Sequence, residues 1–483
     1  MRTELVVRFE YATAIPWVRQ FDRGLRAVAG PNGLWLDSPI TLAGHDMRSE
    51  AEFRLRAGED ATFVLSWHPS FAEDPSVIDP FGALDDTMAF WEQWCDNIDD
   101  VHGEWQEEAV RSLITLKALT YAPTGGIVAA PTTSLPEALG GGRNWDYRYC
   151  WVRDATLTLD ALVEAGCRDE AAAWIQWLAR AAAGAPDQLQ IVYGAAGERR
   201  LPELELDSLP GYENSRPVRV GNAAADQFQL DVYGELMDAV DRARARGIAT
   251  DAVVWRLQRA LMAFVSDRWA DPDDGIWEIR GPRRHFTHSR VMAWVAFDRA
   301  VRATERDGLE GPADQWRASR EAVRADVLAK GWNERRGCFT QYYGSDELDA
   351  SLLMIPLVGF LPADDERVVA TVEAIQRELM ADGLVRRYQN RSGVDGLRGD
   401  EGAFLPCTFW LADCLAGMGR VGEARQLYKR LLSLANDLGL MAEEYDARAR
   451  CMVGNFPQAF THVGVVNTAR GLARAARPGP ASP

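Results

Sequence analysis

Two segments set a glutamate where its environment could control its proton: Gly275-Ile276-Trp277-Glu278-Ile279 and Ala442-Glu443-Glu444-Tyr445-Asp446. A carboxyl group flanked by Ile276, Trp277 and Ile279 is shielded from water, which disfavours its charged form and raises its pKa. Glu278 is therefore the candidate proton donor, and Glu443 or Glu444 the candidate carboxylate partner. One protonated and one ionised carboxyl group on either side of an anomeric carbon is what cleavage of a glycosidic bond requires. Other segments add aromatic rings and arginines: Arg143-Asn144-Trp145-Asp146-Tyr147-Arg148-Tyr149-Cys150-Trp151-Val152-Arg153-Asp154, then Gly221-Asn222-Ala223-Ala224-Ala225-Asp226-Gln227, and Arg386-Arg387-Tyr388 followed by Gly399-Asp400-Glu401-Gly402. Rings pack on the apolar C–H faces of a sugar, and charged groups bond its hydroxyls in pairs.

Each of these residues also has a plainer reading. Glu278 could pair with Arg280 as an ordinary loop ion pair. Arg153-Asp154 could be a helix N-terminal pair, with Asp154 favoured by the dipole, and Trp145 and Trp151 could be core. Asp273-Asp274 lacks the further oxygen-ligand spacing of a calcium loop. His285 and His288 have metal-ligand spacing, but Arg283 and Arg284 beside them disfavour a cation. No nucleophile elbow, phosphate-binding loop or dinucleotide fingerprint stands in its proper context, and no metal or cofactor is expected. What distinguishes the sugar reading is where the candidates lie along the chain.

From residue 104 onward, apolar spacing and breakers predict twelve helices: 104–120, 153–166, 168–183, 222–246, 249–268, 287–304, 313–331, 349–359, 364–380, 403–418, 420–436 and 458–474. The connections after the second, fourth, sixth, eighth and tenth are short; those before the same helices, and before the twelfth, are long and carry the motifs. Short links make antiparallel hairpins and send the long links to the opposite end. Six hairpins closing on themselves give an (α/α)6 barrel whose motif-bearing loops share one face. The rival, an open solenoid, lacks a repeat of fixed period. Ahead of the barrel, residues 1–82 read as a β-sheet domain, with period-two runs at 4–11, 51–56 and 61–67. Residues 83–103 read as a helical linker, 104–477 as the barrel and 478–483 as a disordered tail.

The bulk composition narrows the partners. The 483 residues are 47% hydrophobic and 26% charged, and 53 Lys+Arg against 71 Asp+Glu give a formal charge of −18. Such a surface repels phosphate backbones and anionic lipid, so neither nucleic acid nor membrane is expected. The seven cysteines are scattered, with no C-x-x-C pair. With no apolar run of roughly 18 residues and no signal-like N-terminus, the expected location is cytoplasmic. Homo-oligomerisation stays open.

The run from Arg143 to Asp154, the block Gly275-Ile276-Trp277-Glu278 and the block Ala442-Glu443-Glu444-Tyr445-Asp446 together resemble glycoside hydrolase family 15, the glucoamylase and bacterial trehalase family. The resemblance extends over about residues 1–477. It implies a six-hairpin barrel, inversion at the anomeric carbon and release of β-glucose. It implies that Tyr147, Trp151, Arg153 and Asp154 hold the non-reducing glucose, with Trp277 and Arg387 in the same subsite. Glu278 would be the general acid and Glu443 the general base. Ile279 stands where fungal glucoamylases carry a second carboxylate, so contacts to the leaving sugar must differ. Stretches 117–137 and 216–234 resemble the trehalase branch, which favours α,α-trehalose. The alternatives are glucoamylase or glucodextranase action on α-1,4 or α-1,6 glucooligosaccharides, a phosphorylase, which would lack the base carboxylate, and a non-catalytic carbohydrate-binding protein, which would have lost one glutamate. The chain is also expected to start partway through the N-terminal sheet domain, exposing sheet edges.

Overall fold

The computed structural model describes residues 1–98, 103–248, 251–389, 393, 395–397, 399 and 401–476. The chain divides into two compact units, Met1–Asp96 and Asn97–Pro483. Of the expected 83–103 linker, the helical part falls within a longer helix, α1 (Pro80–Asp96), in the first unit. Residues 99–102 and the expected tail at 478–483 lie outside the described residues, as does Asp400.

The first unit contains two antiparallel sheets. Strands β1 (Arg2–Leu5), β5 (Ala43–His45) and β6 (Arg48–Glu52) form one, in the order β1-β6-β5; β2 (Trp17–Phe21), β3 (Gly24–Ala29), β4 (Asn32–Asp37) and β7 (Val64–Pro69) form the other, in the order β2-β3-β4-β7. Leu25 and Leu36 are direct cross-strand partners and, with Leu42, form a small core against which Leu5 and Ala51 pack. The alternation at 51–56 and 61–67 marks strands shifted by two to four residues, the 4–11 run overlaps β1 only at residues 4–5, and β2 to β4 were not among the strands expected.

The second unit is an (α/α)6 barrel, as expected. Helices α3 (Val152–Glu164), α5 (Asp231–Ala245), α7 (Thr287–Glu305), α9 (Met354–Leu357), α11 (Leu405–Gly417) and α13 (Ala459–Ala476) form the inner ring, closed where α13 packs on α3. The outer ring consists of α2 (Gln106–Ala118), α4 (Arg168–Ala181), α6 (Ala252–Arg268), α8 (Ala313–Lys330), α10 (Glu366–Glu378) and α12 (Val421–Leu432). Burial separates the layers: α7 and α11 are buried on nearly all sides, whereas α8 buries only Trp316, Val323 and Val327. A helix apolar all round belongs in a core, and one with a single stripe belongs at its surface.

Two expected helices are shorter than their patterns. The 222–246 pattern is a 3₁₀ turn at Ala223–Asp226 followed by α5 from Asp231; Asn222 caps the turn by accepting from the Ala224 amide. The 349–359 pattern is a 3₁₀ turn, Ala350–Leu353, and the single-turn α9, which contains Pro356. A proline there removes an amide donor and stops propagation. Buried Arg299 secures this weakest element of the ring. It donates to Asp238 of α5 at 2.7 Å, to Asp298 at 2.6 Å and to the Val358 carbonyl at 2.8 Å.

The loop entering α5 is fixed by a buried acid. Asp273, fully buried, accepts from the Leu230 amide at 3.1 Å, and burial raises its pKa from the ordinary 3.8 to about 6. Because the unfolded chain ionises first, this group's contribution is complete below about pH 4 and is lost as pH rises to about 6. Asp273→Asn should flatten that part of the stability curve, removing at most roughly 3 kcal/mol of difference between pH 4 and 6.5. Urea unfolding midpoints of both proteins at the two pH values check this; parallel pH dependence would refute it.

Candidate active site

A cavity of about 880 Å³, including its open mouth, lies at the motif-bearing end of the barrel. Its wall includes Tyr147, Trp151, Arg153, Asp154, Trp277, Glu278, Arg387 and Glu443, so the structure brings together all eight residues singled out from sequence. They arrive from the loops leading into four inner helices, α3, α7, α11 and α13, or on the first turn of α3, which is the convergence that alternating short and long links predicted.

The Glu278 segment is held by its neighbours' backbone and side chains. Asp274 accepts from the Phe228 amide at 2.8 Å and pairs with Arg283 at 3.1 Å, so Asp273-Asp274 tie loops together and do not form a cation-binding set. Trp277 donates its indole N–H to buried Asp349 at 2.9 Å, and Gln227 donates to the Ile279 carbonyl at 3.0 Å. Glu278 itself has φ 49°, a left-handed conformation that costs a non-glycine residue on the order of 1 kcal/mol and is concentrated at functional sites. Its partner is Arg153, which donates to Glu278 Oε1 at 2.7 Å, to Asp154 at 3.0 Å and to the Ile276 carbonyl. Arg280 turns away and binds Glu203, so the ordinary Glu278–Arg280 pair does not form. Burial raises the Glu278 pKa, with Arg153 opposing it. Ile276, Trp277 and Ile279 are all under a tenth exposed, as the shielding argument requires.

The Glu443 segment is held on every side. Glu444–Asp446 pairs antiparallel with Ala403–Phe404 and with Cys451–Val453. The Glu443 amide donates to the Asn455 carbonyl at 3.2 Å, and its carbonyl accepts from Leu405 at 3.1 Å. From α13, Thr461 donates to the Ala442 carbonyl at 2.9 Å, and His462 Nε2 accepts from the Met441 amide at 3.2 Å. That imidazole is neutral, since burial lowers its pKa to about 3. Glu443 accepts from the Tyr147 hydroxyl at 2.6 Å through Oε1, and Oε2 has no partner.

In and behind the pocket wall lies a charge network that joins residues named from sequence, Arg143, Arg387, Glu401, Glu443 and Glu444, to Glu137 and Asp395, which were not. Arg387 donates to Glu401 at 2.6 and 3.0 Å and to Glu137 at 3.3 Å, and lies 3.3 Å from Glu444. Arg143 donates to Glu401 at 3.0 Å and to Asp395 at 2.6 Å. Ligand atoms of Glu137, Glu443 and Glu444 lie within 4.8 Å of one another, close enough to share a cation, and Arg387 supplies one. Burial and Glu137 push the Glu443 pKa to about 8, against Arg387 and Tyr147. Glu444, with neither oxygen hydrogen-bonded, is pushed well above the carboxylate range. Burial and the neighbouring carboxylates thus favour the protonated form of Glu444, against Arg387. Glu137 has no signal of its own in sequence: it is a lone acid after Pro136 in an aperiodic loop.

Among the buried atoms without a protein partner are Trp151 Nε1, Asp154 Oδ1 and Glu443 Oε2, all on pocket residues. Leaving a buried donor or acceptor unmade costs about 1–3 kcal/mol. A ligand rich in hydroxyl groups, small enough to be enclosed, removes that cost. His285 and His288 do not join the site: His285 contacts Arg290, and buried His288 lies 3.9 Å from Asp231.

An (α/α)6 barrel with a carboxyl-lined cleft at its loop end has the architecture of a six-hairpin glycosidase. The model of the family described as Glycosyl hydrolases family 15 matches residues 104–470, and the chain belongs to that family. It is 45% identical over 442 residues to a trehalase of Mycolicibacterium smegmatis, covering 90% of this chain and 65% of the relative. It is 36% identical over 468 residues to a trehalase of Thermoplasma acidophilum, covering 97% and 80%. This chain thus spans about two thirds of the length of the mycobacterial relative. A bacterial glucoamylase solved with acarbose shares the fold, with TM-score 0.72 and 15% identity over 93% of this chain and 73% of that one.

Gly454 has φ 80°, and a Cβ built on it would meet Glu443 Oε2 at 2.8 Å and Glu443 Cβ at 3.0 Å. Gly454→Ala should therefore lower the unfolding free energy by about 1–2 kcal/mol from the backbone conformation alone, and more from the contact with Glu443. Chemical denaturation measures this; unchanged stability would show that the loop rearranges freely.

Proposed function

We propose that the chain is an inverting hydrolase that releases β-glucose from α,α-trehalose, with Glu278 as general acid and Glu443 as general base. The observation carrying this reading is the pairing of two carboxyl groups in one enclosed cavity with different partners: Glu278 on Arg153, and Glu443 on Tyr147 with Oε2 free. Both groups also feel Asp154 and Arg387, so the space they bracket is small. The trehalase name of the two relatives supports the choice of disaccharide.

In this mechanism Glu278 gives its proton to the glycosidic oxygen as the C1–O bond breaks. Glu443 Oε2 takes a proton from the water that attacks C1 from the other face, and solvent returns the proton once the sugars leave. Inversion requires the carboxyl groups to stand far enough apart, about 6.5–9.5 Å, to admit that water. Arg153 keeps Glu278 oriented, and Asp154 Oδ1 and Trp151 Nε1 are free to bond the hydroxyls of the bound glucose.

Purified protein should release glucose from trehalose, and NMR at early times should show β- and α-glucose in equal amounts, because only the attacked C1 inverts; α-glucose alone would mean retention. Glu278→Gln and Glu443→Gln should each lower kcat by about 10²- to 10⁴-fold, the usual range for a general acid or base. Release from maltotriose or isomaltose in preference to trehalose would move the substrate to α-1,4 or α-1,6 glucans. Folded wild-type protein inert on all of them would leave a carbohydrate-binding role. A second test concerns pH. Glu137 raises the Glu443 pKa, so Glu137→Gln should move the acid limb of the kcat/KM profile to lower pH. A shift upward would contradict the proposed role of the cluster.

A further inference from the structure

One wall of the cavity is not explained by glucose held at the buried end. The residues expected to hold that glucose are deeply covered: Trp151 is 3% exposed and Asp154 1%, as is the base Glu443. Exposure rises along the Glu278 loop, to 23% for the Glu278 side chain and 35% for Arg280. Arg280 lines the same cavity together with Trp145, Asn222 and Gln227. Since the acid must face the glycosidic oxygen, the half of the cavity beyond it, toward the mouth, is where the leaving group lies.

Arg280 is held there like a built element. Its amide donates to the Asp395 carbonyl at 2.9 Å. Its guanidinium makes a two-point bond to Glu203 at 3.0 and 2.6 Å, and Glu203 also accepts from the Ala223 amide at 3.2 Å. The guanidinium lies over the Trp145 ring at 4.5 Å, where Arg219 already sits at 4.6 Å. A ring covered by two guanidinium groups is a poor stacking platform for a sugar, so polar groups must do the recognising on this side. A guanidinium has five N–H donors, and Glu203 engages one on each of its two terminal nitrogens, which leaves donors in a fixed plane for hydroxyl oxygens.

We propose that Arg280, braced by Glu203 and Trp145, is the specificity-determining residue for the leaving sugar, donating hydrogen bonds to its hydroxyls while Glu278 protonates the oxygen that departs with it. This rests on the hydrolase reading above. It also accounts for Ile279 following the acid: the polar contact to the leaving sugar comes from the next residue, whose side chain points to the cavity, whereas Ile279 is buried at 3% exposure.

The test compares two donors that share the same glucose but differ in what leaves: trehalose, and α-D-glucosyl fluoride, which has no leaving sugar. Arg280→Ala should lower kcat/KM for trehalose about 10- to 100-fold more than for the fluoride, the scale of one or two hydrogen bonds from a charged donor. Arg280→Lys, which keeps the charge without the planar fork, should recover only part of that ratio, and Glu203→Gln should lower it less than Arg280→Ala. Equal losses on both donors, or full recovery by lysine, would overturn the assignment. Wild-type protein that cleaves neither donor would instead overturn the hydrolase reading on which it stands.

Discussion

The cleft holds more acids than bases, and everything else in it follows from that imbalance. Among the described residues, Arg143, Arg153 and Arg387 are hydrogen-bonded or closely paired with Glu137, Asp154, Glu278, Asp395, Glu401 and Glu444, and Glu443 stands beside them on Tyr147. Buried charge is tolerated when paired, and an unpaired acid is tolerated when it keeps its proton. The site does both: Arg387 and Arg143 each bind more than one carboxylate, and Glu443 and Glu444 are pushed upward. The upward shift of these carboxyl groups is thus a property of the cluster's charge balance as well as of burial.

Much of this was legible before any coordinates. Apolar spacing located the helix hairpins because inner and outer helices differ in how many of their faces are buried, and burial is what such spacing records. Glu278 was legible because its immediate neighbours create its environment. Arg153 was recognisable as a site residue, but its partner was not, because the choice between Arg280 and Arg153 for Glu278 depends on a contact 125 residues away in sequence. The same reason hides Glu137, Asp349 and Glu203, whose partners Arg387, Trp277 and Arg280 are far away in sequence. The pattern at 222–246 misled because Asn222 and the alanines after it read equally well as a capped 3₁₀ turn or the first turn of a helix.

The two halves of the cavity are built differently. At the closed end, orphan atoms on Trp151, Asp154 and Glu443 are inflexible, each on or beside a packed inner helix or paired strand, and the left-handed backbone of Glu278 adds strain. The fold tolerates these costs because the surrounding barrel over-determines the positions. Toward the mouth, Arg280, Glu203 and Trp145 belong to loops and are held by charge and ring contacts. On the proposed reading, one sugar would be recognised by residues of the core and the other by residues of the loops.

The neutral histidine beneath the base segment has a consequence of another kind. His462 anchors Met441 as an acceptor, which only an uncharged ring nitrogen can do, and its pKa of about 3 keeps it uncharged. An ordinary histidine would gain a proton near pH 6.5 and release that amide. Here the His462–Met441 hydrogen bond stays in place through the range in which an ordinary histidine would be protonated. This anchor of the Glu443 segment is thus insensitive to acidity in the range where histidines usually respond to it.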